Sequence, residues 1–180
     1  FHEYSPDRIE PVCQHFGICG GCKWQHLPYH LQLHHKEKQV KENLSRIGKV
    51  DIASVNPIIG SSEVFRYRNK LEFTFSDKRW LTREEMNSDR EPLREDALGF
   101  HIPGQFDKVL DIKECLLQAE PSNAIRNAVR RFAHKNAFPF FNLREQAGFL
   151  RNLVVRTTSA GEVMVIVVFF LDERQRIEKL

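Results

Sequence analysis

The stretch Tyr67 to Ser76, with the sequence YRNKLEFTFS, decides the fold class. Two sets of side chains alternate along it. Tyr67, Asn69, Leu71, Phe73 and Phe75 fall on one side, and Arg68, Lys70, Glu72 and Thr74 fall on the other. Because successive side chains of a strand point to opposite faces, this alternation predicts a β-strand with one buried face.

Further strands are predicted on the C-terminal side of this stretch. They cover Leu98–Ile102, Lys108–Ile112, Leu150–Thr157 and Glu162–Phe170. The first two surround a turn at Pro103-Gly104, and the last two form a predicted hairpin. A short run, Ser54–Ile59, is a further strand signal, whereas the charged stretch Thr82–Glu95 predicts a surface loop.

Helical periodicity appears in two longer segments. Tyr29–Ile47 has an apolar stripe made of Leu33, Val40, Leu44 and Ile47. Pro121–Asn136 has a stripe predicted to be buried, made of Ala124, Ile125, Ala128, Val129 and Phe132, with Arg126, Arg130 and Arg131 elsewhere on its surface. A last helix is expected to begin near Asp172. These elements predict an α+β fold, an antiparallel sheet of about five strands with helices packed on one face.

Composition excludes some classes of protein. The chain has 180 residues, of which 41% are hydrophobic, and its longest apolar run, Val163–Leu171, is too short to cross a bilayer as a helix. No signal peptide is visible, and a cytoplasmic protein is expected. The formal net charge of +3 is too small to indicate nucleic-acid binding by itself. The missing initiator Met suggests a piece of a longer protein.

Four cysteines give the clearest chemical signal, namely Cys13, Cys19, Cys22 and Cys115. Cys13, Cys19 and Cys22 fall within a span of ten residues. This span is part of an irregular, Gly- and His-rich stretch, residues 1–26, which precedes the α+β domain of residues 27–180. This crowding favours a metal centre over disulfides, and Gly20-Gly21 permits a tight turn between Cys19 and Cys22. Four thiolates suit zinc or an iron–sulfur cluster, and the three-plus-one layout favours the cluster. The nearby histidines are predicted to lie on the surface.

Several motifs together resemble one known family. Cys13–Tyr29 (CQHFGICGGCKWQHLPY) is similar to the cluster loop of the iron–sulfur 23S rRNA (uracil-5-)-methyltransferases. Phe65–Lys70 resembles that family's next motif. Leu98–His101, followed by Asp111–Cys115, resembles the segment that supplies its fourth ligand. Gly148–Arg156 resembles a later strand. The resemblance covers nearly the whole chain, although the charged stretch at 82–95 departs from it.

The resemblance implies the parts of a larger enzyme. A [4Fe-4S] cluster would be held by Cys13, Cys19, Cys22 and Cys115. A TRAM domain would precede this chain, and a methyltransferase domain that binds S-adenosylmethionine would follow it. In this family a further cysteine attacks C6 of a flipped uracil. Because all four cysteines here are assigned to the cluster, the chain alone should be inactive.

Ribosomal RNA is the partner that the resemblance implies, and the candidate contacts are cationic. Arg66, Arg68 and Lys70 alternate, so on a strand they would form a row with roughly 7 Å between neighbours, a spacing that can follow a phosphate backbone. Arg151 and Arg156 are weaker candidates. Two alternatives stay open: a stand-alone, zinc-dependent RNA-binding module and a tRNA-specific relative. The cluster is expected to have a structural role, ordering residues 1–26, although a redox role also stays open.

Overall fold

The structure is a computed structural model that describes residues 3–53, 55–87 and 96–180. Its elements in chain order are α1 (Tyr29–Glu42) with a π-helical continuation (Asn43–Ile47), β1 (Lys70–Ser76), α2 (Arg83–Met86), β2 (Ala97–Ile102), β3 (Gln105–Asp111), α3 (Ser122–Lys135), β4 (Leu150–Thr157), β5 (Val163–Phe169) and α4 (Arg174–Ile177). No helix in these described ranges is both long enough and apolar enough to cross a membrane.

The chain divides into two compact units. The helical unit comprises the described part of Phe1–Phe16 and Cys22–Val64, and the sheet unit comprises Gly17–Gly21 with the described part of Phe65–Leu180. In the sheet unit the five strands are antiparallel, in the order β3-β2-β1-β4-β5. The predicted α+β class, with its five-stranded antiparallel sheet, is therefore confirmed.

The central strand β1 is shorter than predicted. It begins at Lys70 because the preceding residues follow another path. Arg66 has a φ of 58°, in the left-handed region, and its N–H donates to the carbonyl of Leu116. The N–H of Arg68 donates to the carbonyl of Leu117. The predicted row of three cations on one strand is therefore wrong, since only Lys70 lies within β1.

The core of the sheet unit lies on the face that β1 was predicted to bury. Phe73 and Phe75 are fully buried, and Leu71 is nearly so. In the register of β1 with β4, Phe73 lies opposite Leu153, which is also fully buried. Phe75 makes an edge-to-face contact with Phe140, at 4.9 Å between ring centroids. Aromatic pairs of this kind add to the stability that burial alone provides.

Truncating Phe73 tests this core. We expect Phe73→Ala to lower the free energy of unfolding by about 3–5 kcal/mol, because it leaves a cavity where a phenyl ring was fully buried. Urea unfolding of the dilute chain, followed by tryptophan fluorescence, measures this loss. Phe106→Ala is the matched control, because Phe106 is 67% exposed, and it should cost below about 1 kcal/mol. Equal losses would contradict this description of the core.

The strand β5 forms one edge of the sheet and is made entirely of apolar residues. The side chains of this strand that are classed as exposed are Val163, Met164, Val165, Ile166 and Val168. Neighbouring residues of a strand point to opposite faces. The exposed apolar surface of β5 therefore lies on both faces of the sheet.

The predicted apolar stripe of α3 is wrong. The buried residues of this helix are Ser122, Asn123, Arg126 and Ala133, whereas Ala124 and Ala128 are exposed. The cause is a set of polar contacts: the first half of α3 meets the segment before it through hydrogen bonds. The Ser122 hydroxyl, for example, donates to the side-chain oxygen of Gln118 at 2.5 Å.

Two smaller predictions from the helical unit also fail. No residue of α1 or of its π-helical continuation is buried, and Val40 and Ile47 of the predicted stripe are 53% and 80% exposed. Residues 55–59 form no strand, and Ser54 lies outside the described residues. The stretch Thr82–Glu95, predicted to be a surface loop, begins with the short helix α2, whose N-terminus has a capping box between Thr82 and Glu85. Residues 88–95 lie outside the described ranges.

Candidate metal centre and nucleic-acid interface

All four cysteines lie in described parts of the chain and are thiols rather than disulfides. Cys13 and Cys22 belong to the helical unit, and Cys19 and Cys115 belong to the sheet unit. Cys115 is buried, whereas the other three are partly exposed. The four predicted ligands thus differ in their access to solvent.

Side-chain amides hold the segment around Cys13 and Cys22, which contains no helix or strand between residues 3 and 28. The N–H of Cys13 donates to the side-chain oxygen of Gln25 at 3.1 Å. Gln32, in the first turn of α1, donates to the carbonyls of Trp24 and Leu27 at 3.1 and 2.8 Å. These bonds order the backbone on both sides of Cys22 without any regular structure.

The two glycines after Cys19 have distinct roles. A Cβ atom at Gly20 would lie 3.0 Å from the carbonyl oxygen of His101 in β2, so glycine allows the loop to approach the strand this closely. The N–H of Gly21 donates to the sulfur of Cys19 at 3.3 Å. Hydrogen bonds to sulfur favour the thiolate, the form that binds a metal.

The backbone of Cys115 is held at both of its polar groups by one side chain. The N–H of Cys115 donates to Oδ1 of Asn123 at 2.8 Å, and Nδ2 of Asn123 donates to the Cys115 carbonyl at 3.3 Å. Nδ2 also donates to a carboxylate oxygen of Glu120 at 2.9 Å. Because Asn123 is itself buried in the first turn of α3, this arrangement fixes Cys115 relative to the helix.

Arg126 lies one turn further along α3, and its burial contradicts the predicted surface position. It is fully buried, with its guanidinium 5.5 Å from the ring centroid of Phe73. Nη2 donates to the carbonyl of Lys113, whereas Nε and Nη1 have no hydrogen-bond partner among the residues that the structure describes. Burial lowers the pKa of Arg126 to about 10, while the charges of Asp111 and Cys115 act to raise it.

A metal ion or a cluster at this site would need several donor side chains close together. Among the described residues, no three or more His, Cys, Asp or Glu side chains are grouped as the ligands of a metal ion would be. Zinc draws its ligands to about 2.0–2.3 Å from one ion, whereas a [4Fe-4S] cluster takes one thiolate on each of four irons. The described residues supply four thiols, the type of donor that both groups take, but do not gather them as ligands.

Two of the predicted RNA-binding cations lie directly opposite each other on neighbouring strands of the sheet. Lys70 of β1 is the direct partner of Arg156 of β4, and both side chains are exposed. Like charges directly opposite one another destabilise a sheet. No ion pair with Lys70 or Arg156 occurs within the part of the chain that the structure describes. The pair therefore forms a concentrated positive site, here called the cation pair, that is suited to a phosphate.

The other predicted cations are Arg66, Arg68 and Arg151. Arg66 and Arg68 are exposed and precede β1. Arg151 lies five residues from Arg156 along β4, and its guanidinium is 5.2 Å from the ring centroid of Phe141. It borders a cavity of about 140 Å³, whose polar lining includes Thr74, His101 and Asn152. Of the five predicted RNA contacts, the strand register pairs Lys70 with Arg156 directly.

Sequence reasoning missed Asn123 and Arg126. Both are polar residues of a helix that otherwise has an amphipathic pattern, and such residues are usually exposed. Their spacing of three places them on the same face of α3. This spacing, close in sequence to the predicted ligand Cys115, was the sequence signal that could have identified Asn123 and Arg126.

No protein-family model matches the chain. It is 56% identical over 178 residues to an uncharacterized RNA methyltransferase of Bacteroides thetaiotaomicron, a match that covers 99% of this chain and 39% of that protein. It is 54% identical over 174 residues to an uncharacterized RNA methyltransferase of Porphyromonas gingivalis, covering 94% of this chain and 37% of that protein.

A solved structure resembles nearly the whole chain. It is the Pyrococcus abyssi tRNA (uracil-54, C5)-methyltransferase in complex with S-adenosyl-L-homocysteine. The match has a TM-score of 0.64 and 25% identity, and it covers 98% of this chain and 36% of that one. These likenesses support the RNA methyltransferase family, and the chain spans less than half the length of each of these proteins.

Proposed function

We propose that this chain is the central segment of an S-adenosylmethionine-dependent RNA (uracil-C5)-methyltransferase, in which it helps to bind and position the RNA. The observation that carries the proposal is similarity over nearly the whole chain to segments of proteins named RNA methyltransferases. The solved neighbour adds support for uracil C5 as the methylated atom and for S-adenosylmethionine as the donor, since its structure holds S-adenosyl-L-homocysteine.

The RNA contact is proposed to begin with phosphates. The exposed cation pair, Lys70 and Arg156, would neutralise backbone phosphates, with Arg66 and Arg68 extending the positive surface before β1. Arg151 would contact the RNA separately, beside the cavity at Phe141. Phosphate contacts fix the position of an RNA without reading its sequence, which is the task expected of a segment that presents a substrate to another domain.

A [4Fe-4S] cluster is the proposed resident group, with Cys13, Cys19, Cys22 and Cys115 as its ligands. The proposal is supported by the spacing of the cysteines in the sequence and by the sulfur hydrogen bond at Cys19. When bound, the cluster would cross-link its four ligand segments and order residues 1–26. Its ligands are then unavailable as nucleophiles, so the cysteine that attacks uracil would come from another part of the longer protein.

The proposed target is 23S rRNA, in the cytoplasm, because the cysteine loop resembles that of the iron–sulfur rRNA enzymes. Tritium transfer from S-adenosylmethionine labelled in its methyl group tests both the reaction and the target. The full-length protein should label a 23S rRNA transcript, and digestion should release 5-methyluridine. The 180-residue chain alone should transfer no label.

The outcomes of this assay separate the parts of the proposal. Label in a tRNA transcript but not in 23S rRNA would overturn the rRNA target and leave the uracil methyltransferase assignment standing. Label in a nucleoside other than 5-methyluridine would overturn the reaction. Transfer by the isolated chain would contradict the assignment of all four cysteines as ligands.

A further inference from the structure

The sheet unit has a cavity of about 140 Å³ where β1 ends, and the size and walls of this cavity suit a flat ring. A protein cavity of about 150 Å³ is large enough to hold benzene, so this one fits a single six-membered ring. Phe141 lines the cavity, and the guanidinium of Arg151 lies 5.2 Å from the centroid of the Phe141 ring. Aromatic rings and guanidinium planes are the surfaces on which proteins stack unpaired RNA bases.

Three side chains of the lining have polar groups that are free to bind a ligand. Thr74 lies directly opposite Asn152 in the register of β1 with β4, so these two side chains are neighbours on one face of the sheet. The third is His101 of β2. Within the ranges that the structure describes, no hydrogen bond or ion pair involves any of the three side chains. A hydroxyl, an amide and an imidazole together offer the donors and acceptors that the polar edge of a base requires.

The charges of the lining favour a neutral ring over a phosphate. Among the described residues that line the cavity, Arg151 is positive and Asp107 is negative, and the carboxylate of Asp107 is paired with Arg144. A phosphate inside the cavity would lie near this carboxylate, and like charges repel. A pyrimidine base carries no charge at neutral pH, so the cavity suits a base, with the phosphates of the RNA outside it.

The cavity lies on the face of the sheet that carries the cation pair. Thr74 is four residues from Lys70 along β1, and Asn152 is four residues from Arg156 along β4. Because side chains alternate along a strand, residues four apart point to the same face, at a distance of roughly 13 Å. The register of β4 with β5 shifts just before Asn152, and such a bulge turns the neighbouring Arg151 to the same cavity. One strand of RNA can therefore reach both places.

We propose that this cavity binds one unstacked pyrimidine base of the RNA whose phosphates contact the cation pair. The guanidinium of Arg151 stacks on the base, and the amide of Asn152 bonds to its polar edge. The inference rests on the proposed RNA-binding role and adds to it a subsite that selects among bases. This base is not the methylated uracil, because the cysteine that attacks that uracil is proposed to lie outside this chain. The exposed Glu72 lies between the two places on the same face and repels phosphate, which confines the phosphate contacts to the cation pair.

The experiment measures the affinity of the full-length protein, without S-adenosylmethionine, for an oligouridine and an oligoadenosine of equal length. Fluorescence anisotropy over a range of salt concentrations gives both affinities and their salt slopes. Asn152→Leu fills the cavity with an apolar chain, and the ratio of the two affinities should fall about tenfold from its wild-type value in favour of oligouridine. The salt slope should not change, because the phosphate contacts remain. Lys70→Gln/Arg156→Gln should instead weaken the binding of both RNAs alike and lower the slope.

Gln105→Leu is the matched control, because it changes an exposed amide of β3 outside the lining, and it should alter the ratio less than about twofold. A wild-type protein that binds neither RNA would overturn the proposed RNA-binding role, and this inference with it. A folded Asn152→Leu protein with the wild-type ratio would overturn this inference alone. If Asn152→Leu does not fold, Thr74→Val decides, since it removes a hydroxyl with little change of shape and should lower the ratio about threefold.

Discussion

Replacing Cys115 with serine is expected to abolish the binding of iron by the full-length protein. The wild type should carry about four irons and four sulfides per chain and should be brown, whereas the variant should be colourless. The reason is geometric as well as chemical. Cys115 is the one buried cysteine of the four, and Asn123 fixes its backbone, so serine at this position would stay in place and replace the thiolate that a cluster takes with a hydroxyl. Iron and acid-labile sulfide analysis, with a visible spectrum, measures the loss.

Glu114→Gln is the control for this experiment, because it changes the exposed residue next to Cys115 and leaves every thiol intact. It should keep the full iron content. One zinc per wild-type chain without colour would refute the cluster and favour the zinc-dependent module. An iron content that survives in Cys115→Ser would instead exclude Cys115 as a required ligand.

Neutralising the cation pair is expected to weaken RNA binding by about 30-fold, if each lost phosphate contact is worth about 1 kcal/mol. The change is the double variant Lys70→Gln/Arg156→Gln. The slope of log affinity against log salt should fall by about 1.4 for a single-stranded target, because two phosphates are no longer neutralised. Filter binding of a 23S rRNA transcript by the full-length protein, over a range of salt concentrations, measures both quantities.

The strand register also predicts how the double variant affects the stability of the sheet. Lys70 and Arg156 are direct cross-strand partners, so removing their repulsion should leave the sheet at least as stable as before. Arg131→Gln/Lys135→Gln removes two exposed cations from α3 and should change affinity less than twofold. A similar loss of affinity in both double variants would show that net charge, rather than the cation pair, attracts the RNA.

Much of the sheet could be predicted from the sequence, because the alternation of apolar and polar residues along a strand shows which of its faces is buried. Phe73 and Phe75 in β1 were placed on a buried face by this pattern, and they are fully buried. The start of β1 could not be predicted. The alternation continues back to Arg66, while the backbone departs into the left-handed region there to bond with Leu116.

The helices were harder to predict because polar groups can replace apolar ones at a buried surface. Asn123 and Arg126 face the segment that contains Cys115, and hydrogen bonds to backbone carbonyls compensate for part of the cost of burying them. A rule that places charged residues in solvent fails at such a surface. The cation pair was missed for another reason: Lys70 and Arg156 are 86 positions apart, and only the strand register brings them together.

The apolar edge strand β5 has a consequence for the chain when it is separated from the longer protein. A sheet edge presents unpaired backbone donors and acceptors, and in β5 they are flanked by exposed Val163, Val165 and Ile166. Another copy of the same strand can pair with such an edge. For the isolated chain, self-association therefore competes with refolding, and the yield of dispersed protein should depend on dilution more than on the strength of the core.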